Sequence, residues 1–188
     1  MPASAPQFGS FDIYALAERL MRMDDATWRR HANPLSGWTR FLFGAAPLFF
    51  AIYARVWIGW WALPLVLAVL AWIWINPRAF PEPADYGSWM SRGVLGERIW
   101  LARKHHDIPP HHAWVAHATT GFAAAFALCA IWGVIVLNPW ATTLGVLGSI
   151  VAKAWFIDRM VWLHIDLTGI PFGAPMPQPT LPASSKET

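Results

Sequence analysis

Five of the seven histidines in this chain fall within fourteen residues, KHHDIPPHHAWVAH, from Lys104 to His117. Four of them, His105, His106, His111 and His112, supply enough imidazole for a tetrahedral metal ion. Asp107 would then add an oxygen ligand or orient a ring. Ile108-Pro109-Pro110 interrupts any helix there, so the two pairs are expected to flank an extended elbow. Helical metal boxes need ligands three or four residues apart, and this order does not reproduce the HxxxH and HxxHH boxes of membrane desaturases and hydroxylases. A loop site is one reading. The other is an interfacial cluster beside Arg103 and Lys104 that attracts anionic lipid headgroups and gains charge on mild acidification.

Two further groups of residues invite chemistry. His117 and His164 are expected at the same ends of adjacent helices, an arrangement that can hold haem or a related tetrapyrrole through two axial imidazoles. A step of four from Ala113 gives His117, Gly121, Ala125, Cys129 and Gly133, an almost wholly small stripe. Small residues let helices approach closely in lipid, so this stripe is expected to carry His117 into the bundle. The matching stripe is Ala141, Gly145, Ser149 and Lys153. Lys153, Asp158 and Arg159 form a candidate intramembrane polar network. A charge at that depth costs about 2.5 to 3.5 kcal/mol on insertion scales, so a partner must be named, and for Lys153 it is Asp158. Snorkelling of Lys153 to the interface is the alternative.

The elements that must position these groups belong to a membrane protein. The chain has 188 residues, of which 56% are hydrophobic and only 13% charged, with 14 tryptophans. Tryptophan favours the headgroup level, where its ring is buried and its N–H stays wet. Apolar runs at Trp38–Ala54 and Ile58–Ile75 predict one helical hairpin, closed by Asn76-Pro77. A second runs from Ala113 to Leu137 and from Trp140 to His164 around the Asn138-Pro139 turn. The expected fold is therefore an all-α membrane protein with four transmembrane helices as two hairpins, plus amphipathic helices at the interface. Its parts are an N-terminal segment (1–37) with an amphipathic helix over Ser10–Met23, the first hairpin (38–76), a connection (77–112) with an interfacial helix capped by Ser88, the second hairpin (113–164) and a disordered tail (165–188).

Placement of charge sets orientation. Arg19, Arg22, Arg29, Arg30 and Arg40 precede or open the first span, Arg78, Arg92, Arg98, Arg103 and Lys104 lie in the connection, and the opposite turns hold only Arg55. The positive-inside rule then puts both termini and the connection in the cytoplasm. No cleavable signal peptide precedes the first apolar run, so internal helices are expected to direct insertion. Cys129 is the sole cysteine, which excludes an intrachain disulfide and any cysteine-built zinc or iron–sulfur site.

No GxGxxG, Walker, GxSxG or HExxH motif occurs, and the basic residues interleave with aromatics in a way that suits lipid better than nucleic acid. Several segments, RMDDATWRRHANPLSGWTRF, RVWIGWWAL, NPRAFPEP, SWMSRGVLGERIWLARK, IPPHH and KAWFIDRMVWL, carry a resemblance. Over about Met23 to Leu163 the chain resembles a bacterial family of small integral membrane proteins of unknown function. The resemblance implies an architecture and a bacterial inner-membrane location; it implies no catalytic residue, cofactor or substrate. Its IPxHH element falls on Ile108, Pro109, His111 and His112. Three functional readings follow. The leading one is a non-enzymatic accessory or structural component of a larger membrane complex or homo-oligomer, bound to lipid and needing no cofactor. The others are a membrane oxidoreductase or electron-transfer subunit with histidine-held haem or metal, and a small transporter or channel using Lys153, Asp158 and Arg159.

Overall fold

Local sequence sets each helix start in the computed structural model, which describes residues 23–182. Asp24 accepts the Thr27 amide at 2.7 Å and opens α1 (Asp25–His31). Asn33 does the same for α2 (Pro34–Phe43) through the Leu35 amide at 2.9 Å, with Pro34 in the first turn, where a missing N–H costs nothing. Gly44 separates α2 from α3 (Ala45–Tyr53), and a Cβ there would overlap the Arg40 carbonyl. A short α4 (Arg55–Ile58) and a 3-10 turn at Gly59–Trp61, entered through Gly59 at φ +55°, lead into α5 (Ala62–Ala79). Ser88 caps α6 (Trp89–Leu101) through the Ser91 amide at 3.1 Å. Pro110 begins α7 (Pro110–Ile135), Asn138 caps α8 (Pro139–Thr168), and Gly169 ends it in the left-handed region at φ +70°. No strand occurs among the described residues.

Three helical stretches are long and apolar enough to cross a membrane: Ala46–Ala79, Pro110–Ile135 and Pro139–Thr168. The first cannot be one straight rod. At 34 residues it would run roughly 51 Å and hold its ends apart, whereas α3 packs against α5. The chain therefore doubles back between Ala54 and Trp61.

α8 is the central element, with α7 on one side and α6 on another. Glycines set the approach. A Cβ at Gly145 would overlap the backbone of Ala130, one at Gly133 the backbone of Thr142, and one at Gly96 the backbone of Met160. The main apolar core lies where α6, α7 and α8 meet, around Ile99, Trp100, Ala116, Phe156, Met160 and Leu163. A second cluster joins α1 to α6 and to the chain after α8 through Trp28, Tyr86, Val94, Leu95 and Met176.

Element ends differ from those expected. α5 runs through Asn76-Pro77 to Ala79, because a proline so near a helix C-terminus forfeits one hydrogen bond and disturbs no turn beyond it. α7 starts three residues before Ala113, using Pro110 as its first residue, and α8 continues past His164. The tail expected to be disordered over 165–188 is also different. Residues 165–168 complete α8, and the segment after it is fastened to α6. Tyr86 N donates to Met176 O at 2.8 Å, and Asp85 Oδ1 accepts the amides of Met176 (2.6 Å) and Gly87 (2.9 Å). Those amides hold the Asp85 carboxyl below the usual carboxylate range. Arg92, fully buried, donates to the carbonyls of Gly87 (3.1 Å), Ile170 (2.8 Å) and Ala174 (3.0 Å). The composition of the tail is polar and proline-rich, but its order comes from a buried guanidinium that tail composition alone does not reveal. The amphipathic helix expected at Ser10–Met23 lies outside the described residues except for Met23, which packs against the second cluster. Residues 183–188 lie outside them too.

Candidate functional site

The start of α7 and the end of α8 bring three donor groups together. Because α7 begins at Pro110, His111 and His112 occupy its first turn instead of an extended elbow. Opposite them, the last turn of α8 presents Asp166. His112 Nε2 donates to Asp166 Oδ2 at 2.7 Å, and His111 Nε2 lies 3.9 Å from the same oxygen. One ligand atom from each residue lies within 4.8 Å of the others. The imidazole rings sit 4.2 Å apart, centroid to centroid. The His112 side chain is 1% exposed, whereas His111 is 64% and Asp166 45% exposed, so the group is open on one side. His112 Nδ1 is buried without a hydrogen bond. His105, His106 and Asp107 do not join this group. His105 and His106 belong to the turn that follows α6.

Asp166 was legible in principle. An antiparallel register centred on Asn138-Pro139 pairs position 111 with position 166.

His117 does not point into the bundle. It is exposed, with its ring edge-on to Trp100 at 5.1 Å and 70°. The reason is helical arithmetic: a step of four overshoots one turn by about 40°, so a strict four-residue stripe walks around the helix. The face that meets α8 alternates steps of four and three, through His112, Ala116, Thr119, Ala123, Phe126, Ala130 and Gly133. The two readings coincide at Gly133 and diverge at His117 and at Gly121, which has open space around it. His164 is fully buried, and its Nε2 donates to Thr180 O at 2.9 Å. His117 and His164 thus have separate partners.

Lys153 pairs with Glu97 of α6, Nζ to Oε1 at 2.7 Å, and its ammonium lies 4.6 Å over the Phe156 ring. Asp158, the expected partner, instead accepts from Trp89 Nε1 at 3.1 Å. Trp89 also stacks on Trp38 at 5.6 Å, linking α2, α6 and α8. Arg159 Nε is buried without a hydrogen bond.

A chain of buried polar groups runs beside this pair. Ser36 Oγ donates to Asn76 Oδ1 (3.1 Å), Asn76 Nδ2 to Thr39 Oγ1 (2.8 Å), and Thr39 Oγ1 to Leu35 O (2.6 Å). With the Ser36 proton so committed, His31 Nδ1 at 3.0 Å must be the donor to Ser36 Oγ, so the ring carries a proton on Nδ1. Burial pushes His31 down to about 3, with the Arg40 and Lys153 charges adding and Glu97 opposing. For Glu97, burial pulls the carboxyl up, but the charge and hydrogen bond of Lys153, with Arg40 behind them, outweigh it and hold Glu97 below its usual range. The cluster is hard to see in the sequence because Asn76 precedes Pro77 and His31 lies three residues before Pro34, where caps and turns are the ordinary explanation.

No curated protein and no solved structure matches the chain. Its residues 15–180, which span every group described above, match the model of one family, and the chain belongs to it: the family of unknown function DUF6653.

Proposed function

We propose that this is a four-pass protein of the bacterial cytoplasmic membrane and a non-enzymatic accessory component of a membrane assembly. In this reading 34–53, 62–79, 110–135 and 139–168 cross as two antiparallel hairpins, with both termini and the central connection in the cytoplasm. One observation carries the layout. Arg55 Nη2 donates to Val134 O at 2.7 Å and Tyr53 Oη to Leu137 O at 2.9 Å, so the two turns sit side by side at one end. The basic residues of α1, α6 and the connection belong to the other end, as the positive-inside rule asks. Exposed tryptophans mark both levels: Trp57, Trp60, Trp61 and Trp140 near the turns, Trp38, Trp74, Trp114 and Trp162 near the base.

The accessory role follows from how charge is used. Arg29 with Glu82, Arg98 with Asp25 and Lys153 with Glu97 join one element to another, and Arg92 fastens the tail. What is left outward on α5 is apolar, including Leu63, Leu65, Leu67, Leu70 and Trp74, a face suited to lipid or to a second subunit.

The layout is tested by placing single cysteines at Trp60, Trp140 and Lys104 in a Cys129→Ala background and labelling intact cells with a membrane-impermeant thiol reagent. Trp60 and Trp140 should react from outside and Lys104 only after lysis; labelling of all three from the same side would remove the four-pass reading. The accessory role is tested by a photo-crosslinking residue at Leu67. A discrete protein adduct is expected, and adducts with lipid alone would rule the role out.

A further inference from the structure

We propose that His111, His112 and Asp166 form a site for one divalent transition-metal ion at the open end of the α7–α8 hairpin. This goes beyond an accessory role and does not depend on it. Two imidazoles and a carboxylate are the donor set of zinc and of non-haem iron(II), with water completing the coordination.

The spacing fits. For metal–ligand bonds of about 2.0 to 2.1 Å, tetrahedral ligands stand about 3.3 Å from one another. The two nitrogens stand 2.7 and 3.9 Å from Asp166 Oδ2, on either side of that separation. His112 and Asp166 have to open by about 0.6 Å and His111, the exposed member, has to swing inward by a similar amount.

One further feature favours an ion: the rings of His111 and His112 stand 4.2 Å apart, centroid to centroid, and are tilted by 39°, so both imidazoles can reach one ion beside Asp166. When a metal takes the Nε2 lone pair of His112, the Nε2 proton leaves to solvent and Nδ1 takes one up, so the imidazole stays neutral; Nδ1 has no acceptor, a cost that the metal bond must outweigh. The helix ends do not decide the matter. The N-terminus of α7 disfavours a cation there and the C-terminus of α8 favours it, so the carboxylate of Asp166 supplies the net attraction.

The structure separates these ligands from the other histidines of KHHDIPPHHAWVAH, and the test uses that separation. The full chain is purified in mild detergent on a histidine-free tag, stripped with chelator and titrated with Zn2+ against a chromogenic competitor. One ion per chain is expected. His111→Ala and Asp166→Asn should each weaken binding by at least about 100-fold, because each removes a ligand. His105→Ala and His106→Ala should leave it unchanged. Both ligand variants alter partly exposed side chains, and His112 is left intact because it is buried. Metal-free melting of the variants close to that of the wild type, with Zn2+ raising the wild-type melting temperature and not that of Asp166→Asn, supports the site independently of affinity. Binding that survives Asp166→Asn, binding lost equally in His105→Ala, or no stoichiometric binding at all would leave a structural histidine–aspartate pair in its place.

Discussion

The two helical pairs hold together by different means. α7 and α8 are joined along their length by shape, with Gly133, Gly145 and Gly148 admitting the opposite backbone or the Phe126 ring. The α2–α3 arm and α5 are joined at their base by the polar chain from His31 through Ser36 and Asn76 to Thr39, while Tyr53 and Arg55, near the tip, tie the arm to the other pair. Burial reflects this: 33% of the most apolar window of Pro139–Thr168 is buried, against 6% of the window in Ala46–Ala79. Hydrophobicity does not set the difference, since the less buried stretch is the more apolar one, with mean hydropathy 2.0 against 1.4. In lipid, apolar surface gains little by burial, so close approach and hydrogen bonds decide which helices meet.

The comparison breaks most readily at Gly145. Gly145→Leu would drive a side chain into the Ala130 backbone, which cannot move aside as a flexible side chain can. A loss of about 3 kcal/mol or more is expected, with aggregation in detergent and early melting. Gly121→Leu, on the same hairpin but with open space around it, should be neutral or stabilising by up to about 0.8 kcal/mol through helix propensity. Equal damage from the two would mean that shape does not hold this pair.

Arg92→Met tests the wet end. Met fills much of the same volume but leaves the carbonyls of Gly87, Ile170 and Ala174 without their donor. A cost of about 2 to 3 kcal/mol is expected, and limited proteolysis should cut within 169–182 at protease levels that spare the wild type. Trimming at unchanged rates would show that the tail is held by Met176 and its apolar neighbours alone.

The polar base of the first pair has a pH signature. His31 is neutral when folded and titrates near 3, while unfolded it takes up a proton near 6.5. Below pH 6.5 the unfolded chain therefore binds the extra proton. Stability should be complete above that pH and decline toward 3, by about 1.4 kcal/mol per unit, or about 2 kcal/mol by pH 5. Melting at pH 8 and pH 5 should show the drop in the wild type and a smaller one in His31→Gln. Glu97 adds little over this interval, because in the unfolded chain its carboxyl has an ordinary value of 4.5 and is still mostly ionised at pH 5; its contribution is lost only below that.

What could be read in the sequence divides along the same line. The second pair was legible because Asn138-Pro139 sits between two long apolar runs, and its register even places Asp166 opposite His111. The helical facing was not, because a fixed step of four misreads a 3.6-residue helix by about 40° each time, enough to turn His117 outward. The polar base was hidden for another reason. Asn76 lies 40 residues from Ser36 and 37 from Thr39, and each looks individually like a capping or turn residue, so only the fold reveals that they form one hydrogen-bonded chain.

The smallest effect is the most specific. Lys153 and Glu97 are partly exposed, at 44% and 20% of their side chains, so the pair is screened and its coupling should be about 1 kcal/mol. A double-mutant cycle with Lys153→Met and Glu97→Gln, read as melting free energies in detergent, should return that coupling. The same cycle between Lys153 and Asp158→Asn should return almost none, because Asp158 is engaged by Trp89. The opposite result would restore the sequence-based pairing within α8. It would also detach α6 from the polar base, because Glu97 is the α6 residue that faces both Lys153 on α8 and the charge of Arg40 on α2.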